Sequence, residues 1–284
     1  MTTGEFFAKR KYVWRIRGLR LLRERACVQY ARQAVPCVVD GVHIEFPDTD
    51  VSLGLHVAVR SRRLEGRELL PMLYERENRQ IALDMGITAL KALHSADVTA
   101  APFALFSMIY RLVRGSGVAL GEMLKSPLLS PNQRSELHRL VVAYVMSKGG
   151  RKVLLHGDLH PSNLIVDLGR NSLGFIDLEA MRLGKAATNF AQLWGGFHFA
   201  HPLLGQRFYQ EYVAQFPELL DEQFDTDVRA ELALRSYSHI QAGRRSGNKG
   251  LEGKARILLA SVLSGASFED ICCGVSDRSA ESIH

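Results

Sequence analysis

The sequence predicts an α+β protein with two lobes: a small N-terminal lobe at residues 1–66, with strands and one helix, and a large, mainly helical C-terminal lobe at residues 67–284. The first observation is that the chain before residue 67 contains short strand-like runs, with turn residues between the later ones, and one helical stretch. The second is the 3.6-residue periodicity of apolar residues that follows. The third is the return of short apolar runs at residues 153–177, which indicates a strand-containing segment within the helical lobe.

The elements of the N-terminal lobe follow from local pattern. Residues 5–13 indicate a strand, and residues 15–33 indicate an amphipathic helix. The apolar stripe of this helix is predicted to contain Leu19, Leu22, Ala26 and Tyr30. Two further strands are predicted at residues 38–46 and 55–59, separated by the turn residues Pro47–Asp50.

The C-terminal lobe begins after a crossover segment at residues 60–67. A helix is predicted at residues 80–95, with Ile81, Met85, Leu90 and Leu93 on one side. Another helix begins at Ser130-Pro131, because serine is a favoured N-cap residue and proline fits the first helical turn. The acids between Glu218 and Glu231 and the bases between Arg244 and Arg256 are interpreted as solvent-exposed helix surface.

The most informative stretch runs from His156 to Asp167 and is followed by Phe175–Glu179. Apolar strands alternate there with a polar loop and a turn, which sets Asp158, Asn163 and Asp177 at the ends of short strands. Asp158 can accept the proton of an attacking hydroxyl group. Asn163 and Asp177 can hold the magnesium ions that neutralise a triphosphate, so the pattern indicates phosphoryl transfer.

The spacing from Asp158 to Asn163 matches the catalytic loop of protein kinases, and Ile176–Glu179 stands where their magnesium-binding Asp-Phe-Gly would be. The form His-Gly-Asp-Leu-His-Pro-x-Asn followed by Ile-Asp-x-Glu resembles the aminoglycoside phosphotransferase family. The long helical segment between His94 and His156 also resembles these small-molecule phosphotransferases. The resemblance implies a protein-kinase-like fold with a reduced N-terminal lobe, and an enzyme that transfers the γ-phosphoryl group of ATP to a hydroxyl group of a small molecule.

The resemblance also implies roles for individual residues. Asp158 is the expected catalytic base, and His156 and Asn163 belong to the nucleotide site. The expected magnesium ligands are Asn163, Asp177 and, as an auxiliary ligand, Glu179. ATP and Mg²⁺ are therefore the expected cofactors, and backbone groups of the crossover would hold the adenine ring.

The N-terminal lobe supplies candidates for the lysine that binds the ATP phosphates. Lys9 is preferred and Lys11 is second, because alternate residues of a strand share one face. Glu24 is the only acid of the following helix and is the expected partner of this lysine, as in kinase small lobes. The sequence departs from the family in two ways: only Met1–Gly4 precede the lysine strand, where a hairpin and phosphate-covering loop are usual, and Asn189 replaces an aspartate that braces the catalytic loop.

Two alternative functions stay open. The Ile176–Arg182 segment and the basic N-terminus also resemble kinases of lipopolysaccharide core sugars, which act at a membrane surface on an anionic acceptor. The missing loop and Asn189 would instead fit a catalytically silent, kinase-like binding module. A zinc site of His156 and His160 is disfavoured, because the His-Glu-x-x-His pattern is absent and Pro161 disfavours a continuing helix.

Composition limits the class of protein. With 46% hydrophobic and 23% charged residues the chain is globular, and its net charge of +6 favours anionic partners such as ATP or an anionic membrane surface. The four cysteines have no metal or disulfide spacing, and no nucleic-acid-binding signature is present. Without a membrane-spanning apolar stretch or a signal-peptide pattern, a cytoplasmic location is expected, with a peripheral position at the inner membrane face as the alternative.

Overall fold

The computed structural model of the protein describes residues 6–12, 16–53, 56–99, 118–147 and 151–272. The chain divides into two compact units, one formed by Met1–Pro102 with Lys152–Gly184 and the other by Phe103–Arg151 with Lys185–His284. The segment that contains the polar loop therefore belongs to the same unit as the N-terminal strands. The lobe boundary near residue 66 stays a prediction. No helix among the described residues is long and apolar enough to cross a membrane.

The first unit is built from short strands and a few helices. Its elements are β1 (Phe6–Tyr12), α1 (Ile16–Ala34), β2 (Val38–Val39), β3 (Val42–Glu45), β4 (Thr49–Leu53), β5 (His56–Arg62), β6 (Arg67–Glu68), α2 (Leu69–Met72), α3 (Arg79–His94), β7 (Lys152–Leu155), β8 (Leu164–Asp167), β9 (Ser172–Phe175) and β10 (Arg182–Lys185). One sheet has the strand order β1-β5-β4, a second has the order β2-β3-β9-β8-β6, and β7 pairs with β10.

The first strand and the first helix are correctly predicted. In the predicted apolar stripe of the helix, Tyr30 is half-buried, Ala26 is wrong, and the side chains of Leu19 and Leu22 are outside the described residues. β1 pairs antiparallel with β5, and Lys9 lies opposite Val59. Ala26 is exposed. Among the described side chains of α1, the buried ones are Glu24, Cys27, Val28, Ala31 and Ala34. The reason is tertiary, because α1 packs against β1, β5 and the 3-10 turn Leu178–Ala180, and these neighbours decide which face is covered.

The region after α1 differs from the prediction in detail. The strand predicted at residues 38–46 is a hairpin, because Asp40 and Gly41 both have positive φ (50° and 80°) and form a two-residue turn between β2 and β3. The predicted turn at Pro47–Asp50 is shorter, since Thr49 already begins β4. β3 pairs in parallel with β9, so the β2–β3 hairpin is joined to the β8–β9 hairpin in one sheet.

The second unit is helical in its described part. Its helices are α4 (Val118–Lys125), α5 (Pro131–Met146), α6 (Ala186–Ala200), α7 (Pro202–Gln215), α8 (Phe224–Ser246) and α9 (Lys249–Val262). α5 begins as predicted: the Ser130 hydroxyl accepts a hydrogen bond from the Gln133 backbone, and the Gln133 side chain accepts one from the Ser130 backbone. The buried ring of Phe190 lies 4.4 Å from Tyr212 and 5.7 Å from Phe268, centroid to centroid, at the centre of the aromatic core.

The acidic run is not wholly solvated, because Asp227 and Glu231 are buried. Lys185 Nζ donates to Asp227 Oδ1 over 2.8 Å, and the Tyr144 hydroxyl donates to Glu231 Oε1 over 2.6 Å. Burial raises the pKa of Asp227 to about 6, although the ammonium group of Lys185 opposes this shift. Two acids of the run therefore form a polar interior for the helices α5, α6 and α8.

The basic run is exposed, as predicted. Arg244, Arg245, Lys249 and Lys254 all lie at the surface. Glu252 accepts hydrogen bonds from Arg244 Nε over 2.9 Å and from Arg256 Nη2 over 2.7 Å. These pairs are surface ion pairs and contribute little to stability.

Candidate active site

The polar loop begins at His156, directly after the buried strand β7. The His156 side chain is fully buried, and its Nε2 lies 2.9 Å from the Ile176 carbonyl oxygen. Since a carbonyl can only accept, Nε2 carries the proton, and Nδ1 is the acceptor for the Asp158 backbone N–H at 3.4 Å. His156 thereby joins the loop to the end of the β8–β9 hairpin.

Gly157 allows the loop to approach the segment that follows the hairpin. Its φ is +93°, and a Cβ atom at this position would lie 2.1 Å from the Ala180 carbonyl oxygen. Both the backbone conformation and this close approach require glycine. The glycine of the His-Gly-Asp motif thus brings the loop against the segment that carries Asp177.

Asn163 is oriented by the loop itself. It ends the 3-10 turn Pro161–Asn163, and its Nδ2 donates to the Asp158 carbonyl oxygen over 2.8 Å. Its own carbonyl accepts from the Ile176 N–H over 3.1 Å. The amide nitrogen is therefore engaged, and the amide oxygen is the atom that could bind a metal ion.

Asp177 follows Ile176, whose N–H bonds to the Asn163 carbonyl. Asp177 therefore lies at the end of the β8–β9 hairpin where Asn163 lies. Leu164 pairs with Phe175 in the β8–β9 register, so Asn163 and Asp177 lie at the same end. Asp177 has left-handed backbone angles (φ 59°, ψ 52°), which are uncommon outside glycine but tolerated by aspartate. Its side chain is exposed, as is that of Asp158.

The segment after Asp177 is held by two arginines. Arg23 Nη2 of α1 donates to the Met181 carbonyl over 2.9 Å, and Arg182 Nη1 donates to the Ala180 carbonyl over 3.1 Å. Glu179 is half-buried and lies near enough to Arg23 to raise the pKa of the arginine, which opposes the larger effect of burial. Sequence reasoning missed Arg23, since an arginine in an arginine-rich helix carries no signal of its own.

The donor set fits magnesium. Mg²⁺ prefers oxygen ligands and is commonly bound by one or two carboxylates, with water and phosphate oxygens completing the coordination. Asp177 and Asn163 supply a carboxylate and an amide oxygen at one end of the hairpin. Among the described residues, no group of three or more His, Cys, Asp or Glu side chains could hold a metal ion.

The predicted phosphate-binding lysine is placed only by its backbone. Lys9 and Lys11 lie on β1, opposite Val59 and Val57, and their side chains are outside the described residues. Glu24 lies on the buried face of α1 and is 7% exposed. The pairing of Glu24 with either lysine therefore stays a prediction.

The crossover segment lies beside the β8–β9 hairpin. Arg67 and Glu68 form β6, which pairs antiparallel with β8 opposite Val166 and Ile165. Gly66 has a φ of +117°, and a Cβ there would lie 2.3 Å from the Val166 carbonyl oxygen. The residues predicted to hold adenine are thus next to the strand that follows Asn163.

A carboxylate in a polar loop, an amide five residues later and a second carboxylate after the next hairpin strand, set among short sheets, define the class of kinase-like phosphotransferases. A family model described as the phosphotransferase enzyme family, APH, matches residues 8–232. The chain belongs to this family. The predicted family and the kinase-like α+β fold are confirmed.

Solved structures support the same fold. A thermostable mutant of aminoglycoside phosphotransferase APH(4)-Ia, in a ternary complex with AMP-PNP and hygromycin B, is 12% identical with a TM-score of 0.63 over 94% of this chain and 89% of that chain. Aminoglycoside phosphotransferase APH(3'')-Id from Streptomyces rimosus, in complex with ADP and streptomycin, is 22% identical with a TM-score of 0.55 over 81% and 88%. The GDP complex of aminoglycoside 2'-phosphotransferase-IIIa is 16% identical with a TM-score of 0.53 over 85% and 82%. A search of curated proteins finds no match.

Proposed function

We propose that this protein transfers the γ-phosphoryl group of ATP to a hydroxyl group of a small molecule, with Mg²⁺ as cofactor. The observation that carries the proposal is the bonded arrangement of the loop and hairpin, in which Asn163 is oriented by the Asp158 carbonyl and lies at the same hairpin end as Asp177. Family membership makes the protein a phosphotransferase. The nucleotide, the metal ion and the acceptor are the parts that the proposal adds.

Asp158 is the group that would receive the acceptor proton. Its carboxylate is exposed while its backbone is held at both polar atoms, by His156 at the N–H and by Asn163 at the carbonyl. A carboxylate held in this way can orient an acceptor hydroxyl and take its proton as the phosphoryl group is transferred. Catalysis of this kind depends chiefly on positioning, so the fixed backbone of the loop supports the assignment.

Asn163 and Asp177 would hold the metal ion, and Glu179 is the auxiliary candidate. Magnesium, when bound, neutralises the negative charge of the phosphates. Asp177 contributes a full negative charge and Asn163 a neutral oxygen, so Asp177 is the stronger ligand of the two. His156, predicted to belong to the nucleotide site, would serve that site by supporting the loop, because its side chain is buried and both ring nitrogens are engaged within the fold.

Nucleotide use is supported by the solved structures of similar fold, which contain ADP, AMP-PNP or GDP. Both ATP and GTP should therefore be offered to the protein, and we expect ATP to be preferred. Solved structures of similar fold also contain hygromycin B, streptomycin or kanamycin, and these molecules carry several hydroxyl groups. A sugar-like molecule with several hydroxyl groups is the acceptor class that we propose.

An acceptor screen tests the proposal. Purified protein, ATP or GTP labelled in the γ-phosphoryl group, and Mg²⁺ are incubated with aminoglycosides, neutral sugars and anionic sugar phosphates, with EDTA and Asp158→Asn protein as controls. Label transfer to a sugar that depends on Mg²⁺ and on Asp158 is the expected result. Nucleotide binding without transfer to any acceptor class would support a catalytically silent binding module, whereas transfer to anionic sugars alone would support the core sugar kinase alternative.

A further inference from the structure

We propose that Arg23 is a positioning residue, which holds the segment that carries Asp177 by donating a hydrogen bond to the Met181 carbonyl. The inference rests on the proposed function, because it concerns the geometry of the proposed metal ligand. Arg23 does not contact a substrate in this proposal. It acts through the backbone of residues 177–182.

The contact joins two distant parts of the first unit. α1 packs on the 3-10 turn Leu178–Ala180, and Arg23 Nη2 lies 2.9 Å from the Met181 oxygen directly after this turn. The guanidinium group is partly buried, and burial lowers the pKa of Arg23. A partly buried cation needs acceptors, and a backbone carbonyl held at this distance gives a charge-assisted hydrogen bond.

Adjacent carbonyls of the segment are fixed on two sides. The Ala180 oxygen accepts a hydrogen bond from Arg182 and would lie 2.1 Å from a Cβ atom at Gly157. The Met181 oxygen accepts a hydrogen bond from Arg23. The catalytic loop and α1 therefore both set the path of this backbone. Arg23 is one connection from α1, and Cys27, which also bonds to the Met181 backbone, is another.

Cys27 interacts with the Arg23 side chain. It lies one helical turn after Arg23, is fully buried, and has a thiol pKa raised to about 11 by burial. The thiol is therefore neutral at physiological pH and acts as a small packing group beside the guanidinium.

The position of Asp177 makes this connection important. Asp177 has left-handed backbone angles and its side chain caps no N–H of the following turn, so the conformation depends on surrounding contacts. Arg23 provides such a contact at Met181, four residues after Asp177. The same helix carries Glu24, the predicted partner of the phosphate-binding lysine, so the placement of α1 would set both the lysine and the metal ligand.

The test compares Arg23→Met with Arg25→Met. Both changes remove one positive charge from the same turn of α1, but Arg25 is partly buried with no hydrogen bond to its Nε atom. We expect Arg23→Met to raise the Mg²⁺ concentration for half-maximal ATP binding by about ten-fold or more, the effect of losing a hydrogen bond to a charged group. Arg25→Met should match the wild type, and Arg23→Lys, which keeps one cationic donor, should recover part of the loss.

A second measurement does not depend on nucleotide or metal. Hydrogen–deuterium exchange of peptides covering residues 177–183, in the protein alone, should be faster in Arg23→Met than in the wild type or in Arg25→Met. Thermal unfolding reports the general loss of structure that a purely structural role would cause. If Arg23→Met does not fold, Arg23→Lys and Arg23→Gln carry the same comparison with graded donor strength.

The outcomes separate this inference from the proposed function. If the wild type binds ATP without regard to Mg²⁺, the proposed function fails, and the exchange experiment still decides the role of Arg23. If the wild type requires Mg²⁺ and Arg23→Met has the same requirement and the same exchange as Arg25→Met, Arg23 does not position the segment.

Discussion

His156 Nε2 donates a hydrogen bond to the Ile176 carbonyl over 2.9 Å, and this bond joins the residue two before Asp158 to the residue one before Asp177. The two carboxylates are 19 positions apart in the chain, yet each lies within two residues of a partner in this bond. The Ile176 N–H is bonded as well, to the Asn163 carbonyl over 3.1 Å. The backbone around Ile176 is therefore where the loop and the hairpin are held together.

Asp158 should be essential for transfer and not for nucleotide binding. The change Asp158→Asn keeps the shape of the side chain and removes its ability to take a proton, so we expect phosphoryl transfer to fall by about 10²–10⁴-fold. The affinity for ATP should stay within about two-fold of the wild type, because the bond from Asn163 goes to the Asp158 backbone. Steady-state rates and calorimetry measure the two effects, and wild-type turnover in the variant would remove Asp158 from this role.

Asp177 and Asn163 should differ in what they contribute. Asp177→Asn removes the charge while keeping a residue that tolerates left-handed backbone angles, so the expected loss of Mg²⁺-dependent ATP binding reflects metal binding and not backbone strain. Asn163→Ala should weaken Mg²⁺ dependence less, since water can replace a neutral amide oxygen. It should also lower turnover by up to about ten-fold, because the Asp158 carbonyl loses one of its two hydrogen bonds and keeps the one from the His160 N–H.

Calorimetry of ATP binding with and without Mg²⁺ distinguishes these variants. An Asp177→Asn protein that retains the wild-type requirement for Mg²⁺ would show that the hairpin end does not hold the metal. Glu179→Gln tests the auxiliary ligand in the same experiment, and a small effect on Mg²⁺ affinity beside a large effect of Asp177→Asn is the expected order.

Gly157→Ala should disrupt the site through steric overlap. A Cβ atom would lie 2.1 Å from the Ala180 oxygen, and the φ of +93° is itself unfavourable for alanine. We expect Mg²⁺-dependent ATP binding to be lost and the melting temperature to fall. Gly253→Ala is the matched control, because a Cβ there meets nothing within 4 Å and alanine favours the helix by up to about 1 kcal/mol. Equal behaviour of the two variants would contradict the close packing of loop and segment.

Asp227 should give the protein a measurable dependence of stability on pH. Its pKa is raised from the ordinary 3.8 to about 6, first by burial, with smaller contributions from Asp221 and Glu231 and an opposing one from Lys185. A raised pKa means that the folded protein binds the proton more tightly than the unfolded chain. The contribution of Asp227 to stability is therefore fully present below about pH 4 and is lost as the pH rises through about 6.

The measurement is the free energy of unfolding in denaturant at several pH values. Relative to Asp227→Asn, the wild type should lose on the order of 1–3 kcal/mol between pH 4 and pH 7. Glu222→Gln, which removes an exposed acid ahead of the same helix, is the control and should leave the pH profile unchanged. A pH profile for Asp227→Asn that is parallel to the wild type would show that Asp227 does not titrate in this range.

The sequence by itself determined the elements whose signals are local. β1, α1, the helix that begins at Pro131 and the β8–β9 hairpin are predicted from periodicity, capping residues and turn residues, because each of these acts over a few neighbouring positions. The spacing within the loop likewise placed Asp158, Asn163 and Asp177 at strand ends, and it indicated the family. Their roles in catalysis and metal binding stay predictions.

Only the tertiary structure decided which surfaces are covered. The contact of Arg23 with Met181 joins residues 158 positions apart, and no periodicity reports such a pairing. Asp227 and Glu231 look like part of a charged surface until Lys185 and Tyr144 are found opposite them. Burial and hydrogen bonding of a side chain depend on which distant residues the fold brings next to it, whereas a local pattern records only its neighbours in the chain.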